Sequence, residues 1–152
     1  MAFLNSMDIS GSGLTAERLR MDVISENIAN ATTTRTAKGG PYRRKMVVFE
    51  PVDQSQPTFR QLMENRMGSS DSSNSVKGGV QATKIVDDPS DFTPKYDPTN
   101  PDANAQGYVM MPNVDPITET LDMMETTRAY DANLTAFNAV KSMAEKALEM
   151  GR

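Results

Sequence analysis

Two stretches, one near each end of the chain, lack helix breakers and carry apolar side chains on more than one side, and this restricts the possible folds most. From Leu14 to Ala31 neither Pro nor Gly occurs. At about 100° per residue, Leu14, Met21, Ile24 and Ile28 fall on one side of a helical wheel, with Ala16, Leu19 and Val23 nearly opposite. Such a helix, about 27 Å long at the usual rise, must bury both sides, and one small domain seldom covers both.

The second stretch opens with Asp115 and Pro116, an N-cap followed by Pro at the first helical position, and runs without further Pro to Gly151, where a stop is expected. Val114, Ile117, Leu121 and Met124 share a narrow arc, whereas Tyr130, Phe137, Val140, Ala144 and Ala147 gather around the opposite one. The stripe changes side between Glu125 and Ala129. We read a helix of about 50 Å whose halves touch different surfaces; a kinked helix inside one bundle is the alternative.

Between these ends, residues 36–112 hold eight of the nine Pro. Lys45 to Phe49 is a short β-prone run, and Val80 to Val86 follows the turn signal Gly78-Gly79. Gly68 to Ser75 is polar and of low complexity, and is expected to be mobile because it buries too little surface to offset chain entropy. Pro89 to Pro112, rich in Pro, Asp and Asn, is expected to form an extended, turn-rich strap. No tandem repeat is visible.

Composition narrows the chemistry. The 152 residues contain no His and no Cys, which removes imidazole bases, thiolate nucleophiles, disulfides and the common transition-metal ligand sets. No metal or other cofactor is expected, and no enzyme activity. Asp87, Asp88 and Asp91 have unspecific spacing, with neither the glycine nor the bidentate Glu of a calcium loop. Leu, Ile, Val and Phe make up about 18% of the chain, under the roughly 20% that marks disorder at high net charge. The net charge is only −4. The chain therefore stands between folding alone and folding with partners, and its 12 Met supply adaptable apolar bulk.

Charge is unevenly spread. Arg35, Lys38, Arg43, Arg44 and Lys45 form a basic block. Residues 85–125 hold Asp87, Asp88, Asp91, Asp97, Asp102, Asp115, Glu119, Asp122 and Glu125 against Lys95 alone. The blocks either pair between neighbouring subunits or are solvated faces. Nucleic-acid binding is not expected, since the overall charge is negative and only Tyr42 is interleaved among the basic residues. The sequence offers no membrane-spanning run and no cleaved signal peptide, so neither direct membrane insertion nor classical secretion is expected.

Asn30 and Thr32 to Thr34 offer side-chain bonds that compete with the helix, so the first helix should end there, and Gly39-Gly40-Pro41 should turn the chain sharply. The sequence Asn27-Ile28-Ala29-Asn30, then Thr residues and Gly39-Gly40-Pro41-Tyr42-Arg43-Arg44, resembles the amino-terminal signature of bacterial flagellar rod and hook proteins. The matching carboxyl-terminal signature is similar to Pro101 through Val109, Pro112-Asn113-Val114, Arg128-Ala129-Tyr130-Asp131-Ala132-Asn133 and Phe137-Asn138-Ala139. Among these proteins the closest likeness is to the proximal-rod branch.

The resemblance implies a mainly α fold with a small β/loop middle. Helices from 1–34 and 113–152 would pair as a coiled coil lining a hollow tube, with a short β-hairpin and an extended strap from 35–112 outside it. It implies a structural subunit at the flagellar basal body in the periplasm, polymerising helically into a drive shaft and delivered by the flagellar type III export apparatus. Implied partners are further copies, other proximal and distal rod proteins, and the MS-ring/rod junction protein. A soluble helical adaptor or export chaperone is the alternative. Residues expected at subunit contacts are Leu14, Leu19, Met21, Val23, Ile24 and Ile28 near one end, and Ile117, Leu121, Met124, Tyr130, Leu134, Phe137, Val140 and Ala144 near the other.

Overall fold

The computed structural model describes residues 2–37, 39–52 and 78–150. In chain order the elements are α1 (Ala2–Ala29), β1 (Lys45–Pro51), β2 (Val80–Asp87), β3 (Thr93–Tyr96), β4 (Tyr108–Met111) and α2 (Pro116–Met150). The polar tract at 68–75, Lys38 and the stop expected at Gly151 lie outside the described residues.

Helix α1 begins well before Leu14 and runs through Gly11 and Gly13, giving it 28 residues. Each interior Gly costs about 1 kcal/mol relative to Ala, so the extension needs tertiary support. Gly13 has it: a Cβ there would stand 3.0 Å from Asn133 Nδ2 on α2, so the missing side chain permits close approach of the helices. At its other end, the Asn30 side-chain amide donates to Glu26 O (2.9 Å) and its backbone N–H to the same carbonyl (3.1 Å), while Thr33 N–H donates to Asn30 O (3.0 Å). The Asn30 N–H bond is the last of the helical ladder, and the side-chain bond and the i→i−3 bonds that follow it end the helix where the Asn/Thr cluster predicts a stop.

The 35 residues of α2 span about 52 Å. Asp115 caps the helix: its carboxylate accepts from Ile117 N–H (3.1 Å) and the Thr118 hydroxyl (2.8 Å). The Thr118 hydroxyl bond, followed by that from Ile117, holds the Asp115 carboxyl below the usual aspartate range. The two helices lie side by side and antiparallel, because Gly13 meets Asn133, Met21 Sδ receives the Thr127 hydroxyl (3.9 Å) and Asn27 meets Glu119 (3.1 Å).

β1 and β2 pair antiparallel from Lys45↔Asp87 to Pro51↔Val80, with an irregularity between Val48 and Phe49. This hairpin is pinned along α1 at both ends. The Lys45 backbone bonds Asn27, and Val80 N–H donates to Ser12 Oγ (3.1 Å). Asn27 and Ser12 are about 22 Å apart along a helix, close to the length of a seven-residue strand.

The expected strap is in part a second hairpin. β3 and β4 pair antiparallel from Thr93↔Met111 to Tyr96↔Tyr108. Tyr96 and Tyr108 meet edge to face with centroids 5.3 Å apart, and Asn104 Oδ1 accepts from Gln106 and Tyr108 N–H (3.0 Å each). The Asp and Asn residues read as turn formers thus close a hairpin loop, completed by Gly107 at φ +81°. Pro94 is accommodated because β3 has only one neighbour.

Candidate functional site

The most deeply buried side chains among the described residues are mostly polar. Glu119, Asn27 and Thr126 are each 1% exposed, beside Val109 at 2%. A buried amide is tolerated only when its bonds are made, and Asn27 makes all four. Its Nδ2 donates to Lys45 O (2.9 Å) and Glu119 Oε2 (3.1 Å), and its Oδ1 accepts from the Tyr42 hydroxyl (2.9 Å) and Lys45 N–H (3.0 Å).

Glu119 is compensated from its other oxygen, which accepts from Arg44 Nε (2.5 Å), while the same guanidinium reaches Asp122 (3.1 Å) and lies 3.8 Å from Asp88. Asn113 fixes Arg44 by accepting its backbone N–H (2.8 Å). One node therefore joins α1, the start of β1 and the first turns of α2. Burial, and then the negative charges of Glu26, Asp87 and Glu119, push the Tyr42 hydroxyl up to about 12. Hydrogen bonds from Ser90, side chain first and then backbone, hold Asp88 below its usual range, assisted by Arg44 and Arg43.

The charged blocks meet within one chain. Arg44 binds Asp88, Glu119 and Asp122, Arg35 lies 3.6 Å from Asp102, and Lys45 pairs with Glu26. Arg43 stacks 4.5 Å from the Phe92 ring centroid and donates to Asp88 O (2.9 Å). These pairs form within one chain because the antiparallel return of β2 and α2 brings part of the acidic stretch onto the basic one.

The residues expected at contacts separate into two groups. Val23 and Ile24 are buried, and Leu14, Leu19, Met21, Ile28, Tyr130, Phe137, Val140 and Ala144 are half-buried. Ile117, Leu121 and Met124 are 72, 57 and 51% exposed, and Leu134 is exposed also. Of the signature residues, Asn27 and Tyr42 are buried in the node, and Ile28, Asn30, Pro41, Ala129 and Asn133 are half-buried. Ala29, Gly39, Gly40 and Arg128 are exposed. Gly39 and Gly40 both have positive φ, +82° and +79°, which explains the pair at this turn. Thr126 caps its own helix face by donating to Asp122 O (2.7 Å). The structural roles of Arg44, Asn113 and Glu119 were not apparent from sequence.

The family described as "Flagella basal body rod protein" matches residues 7–35, and "Flagellar basal body rod FlgEFG protein C-terminal" matches residues 105–150. A curated relative from Bacillus subtilis, named flagellar basal-body rod protein FlgC, is 47% identical over the full length of both chains. The chain belongs to the FlgC family of flagellar basal-body rod proteins. FlgC of Borreliella burgdorferi is 40% identical over 97% of each chain, and that of Escherichia coli O6:H1 is 38% identical over all of both. The FlgC signatures at the two ends of the sequence therefore come together in space: Asn27 and Tyr42 from the amino-terminal one bond each other beside Asn113 and Glu119 from the carboxyl-terminal third. This is a family of structural rod proteins, and none of the described helices is long and apolar enough to cross a membrane.

Proposed function

We propose that this chain is a subunit of the proximal rod of the flagellar basal body, polymerising helically into a hollow shaft that transmits torque and conducts exported subunits. In this reading α1 and α2 form a coiled-coil inner layer and the two hairpins pack outside it. Supporting the pairing, Met123, Thr126, Tyr130, Asn133, Phe137, Val140 and Ala144 recur at alternating steps of three and four along the less exposed side of α2.

The observation that carries the reading is the exposed face Ile117, Leu121 and Met124 on a helix already packed against α1 on its other side. Large apolar side chains at these exposures on a regular helix face mark a surface completed by another protein. Adjacent copies meeting through non-identical surfaces propagate as a helix whenever the rotation between them carries a rise. The shaft would stand in the periplasm, contact further copies, other proximal- and distal-rod proteins and the MS-ring/rod junction protein, and receive its subunits unfolded from the type III export apparatus without a cleaved signal peptide. Its role is mechanical.

The test is incorporation. In basal bodies isolated from the parent bacterium the chain is expected to be present, and Leu121→Asp is expected to remove it from basal bodies while leaving it in the exported fraction. Wild-type swimming with Leu121→Asp, or a chain found as small soluble oligomers holding a client, would favour the adaptor or chaperone reading instead.

A further inference from the structure

We infer that the first turns of α2 in one copy dock into the groove between α1 and β1 of a neighbouring copy of this chain. The inference rests on the rod reading and names the partner of the exposed face.

The groove has a volume of about 350 Å³ and is lined by apolar residues of α1 (Val23, Ile24) and β1 (Met46, Val47, Phe49), together with the polar Arg20, Asn27, Arg44, Lys45 and Asp122. Of its apolar residues, Val23 and Ile24 are each 5% exposed and Met46, at 37%, stands open to water. Ile117, Leu121 and Met124 are the matching projection: spaced four and then three apart, they stand on one face of α2 with half or more of each side chain in water. Burying them against the apolar residues of the groove removes that surface from water, the main driving force for association.

Charge selects the occupant. From Asp115 to Glu125 the chain holds four acids and no base. Asp115 serves the cap, and Glu119 and Asp122 are held by Arg44 of the same chain. Glu125, exposed and next to Met124, has no ion pair or hydrogen bond among the described residues. Arg20, which lines the groove, has none either. A second copy offering the projection brings an unpaired carboxylate toward an unpaired guanidinium, a complementarity that favours the correct partner and register.

Position fixes the kind of assembly. Asp122 lines the groove and Leu121 belongs to the projection, so both surfaces lie at one height on α2 and, one residue apart, are turned about 100° from each other. A copy that inserts its projection into one neighbour leaves its own groove free for the next. Groove and projection are different surfaces, so the contact is heterologous and, where each copy engages a different neighbour on each of them, it continues from copy to copy.

Paired thiols test this, because the sequence has no cysteine. Two full-length chains, one carrying Met46→Cys and the other Leu121→Cys, are produced together in the bacterium lacking its own copy, and isolated basal bodies are oxidised. A disulfide joining the two different chains is the expected result, with little joining two Leu121→Cys chains. Chains present in basal bodies with no mixed disulfide, or with only the Leu121→Cys homodimer, overturn the docking and leave the rod reading standing. Absence of the unsubstituted chain from basal bodies overturns both. Independently, Arg20→Glu and Glu125→Arg should each lower incorporation several-fold, and the double exchange should restore it. A double exchange as poor as its worse single variant overturns the pairing.

Discussion

The two halves of α2 are built in opposite senses. Along its first turns the residues buried most deeply are polar and the large apolar ones Ile117, Leu121 and Met124 face outward: Glu119 and Thr126 are 1% exposed, whereas Ile117 and Leu121 stand mostly in water. Along its second half the usual order returns, with Tyr130, Phe137, Val140 and Ala144 less exposed than the Asp131, Thr135, Asn138 and Ser142 around them. The second half obtains its attachment from non-directional burial, which tolerates small shifts. The first half is attached through the directional bonds of Asn27, Arg44 and Glu119, which accept one register of α2 on α1 and one placement of β1. Its apolar residues are thereby left available for another molecule.

The sharpest way to break this contrast is to remove one partner of the buried node. Arg44→Met leaves the Glu119 carboxylate buried without its cation and should destabilise the chain by about 3–5 kcal/mol, read as a lowered midpoint in denaturant with an unchanged slope. Replacing both ends of the buried ion pair, Arg44→Met with Glu119→Leu, should recover part of that loss, because no buried carboxylate is then left without its cation. Asn27 is kept because it satisfies Tyr42 and the Lys45 backbone. Full stability in Arg44→Met alone would show that the node contributes little.

Exchanging apolar residues for charge should then separate the two halves by effect. Phe137→Asp puts a carboxylate into the half-buried inner face of α2 and is expected to cost about 2–4 kcal/mol of folding stability. Ile117→Asp changes an exposed position and should stay within about 0.5 kcal/mol of wild type, yet abolish incorporation into basal bodies. Thermal melts of the unassembled chain beside swimming assays distinguish these outcomes. Equal melting losses in both would mean that the exposed face is already used within the chain.

Much of this was legible in the sequence. Asp115-Pro116 announced the start of α2, the β-prone runs at Lys45 and Val80 announced the first hairpin, and the Asn/Thr cluster after Ala29 announced the end of α1, each because the signal is local. The second hairpin was hidden because its strands are four residues long and one contains Pro94, so turn chemistry outweighed strand pattern. The node was hidden for another reason. Asn27 meets Tyr42, Arg44's partner Glu119 and Lys45 across 15, 92 and 18 residues, and Arg44 meets Glu119 across 75. No periodicity relates such positions; family likeness marked Asn27 and Tyr42 without revealing what they bind. The apolar arc of Ile117, Leu121 and Met124 was visible, but only the fold shows that it is turned away from α1.

A smaller effect probes how closely the helices approach. Gly11 and Gly13 both lie within α1, but a Cβ at Gly11 meets nothing within 4 Å whereas one at Gly13 stands 3.0 Å from the Asn133 amide. Gly11→Ala should stabilise by about 1 kcal/mol from helix propensity alone. Gly13→Ala should gain less, because Asn133 must yield, and Gly13→Leu should destabilise. The difference between the two alanine variants measures the contact, and equal gains would place the helices farther apart.

The effects of pH again distinguish the node from its surroundings. Tyr42 is neutral and buried, and its value is raised to about 12 in the fold. It contributes stability that is fully present below the ordinary tyrosine value of about 10 and is lost as pH rises through the folded value, since the unfolded chain releases the proton first. Asp88 and Asp115 are lowered instead, so their contribution is present above the ordinary aspartate value and is lost as pH falls through their folded values. Tyr42→Phe should therefore flatten the alkaline limb of the stability curve and leave the acid limb unchanged, whereas Ser90→Ala should flatten only the acid limb. Loss of the acid limb in Tyr42→Phe would mean that the node and the Asp88 turn open as one unit, erasing the distinction between a directional attachment and the loop beside it.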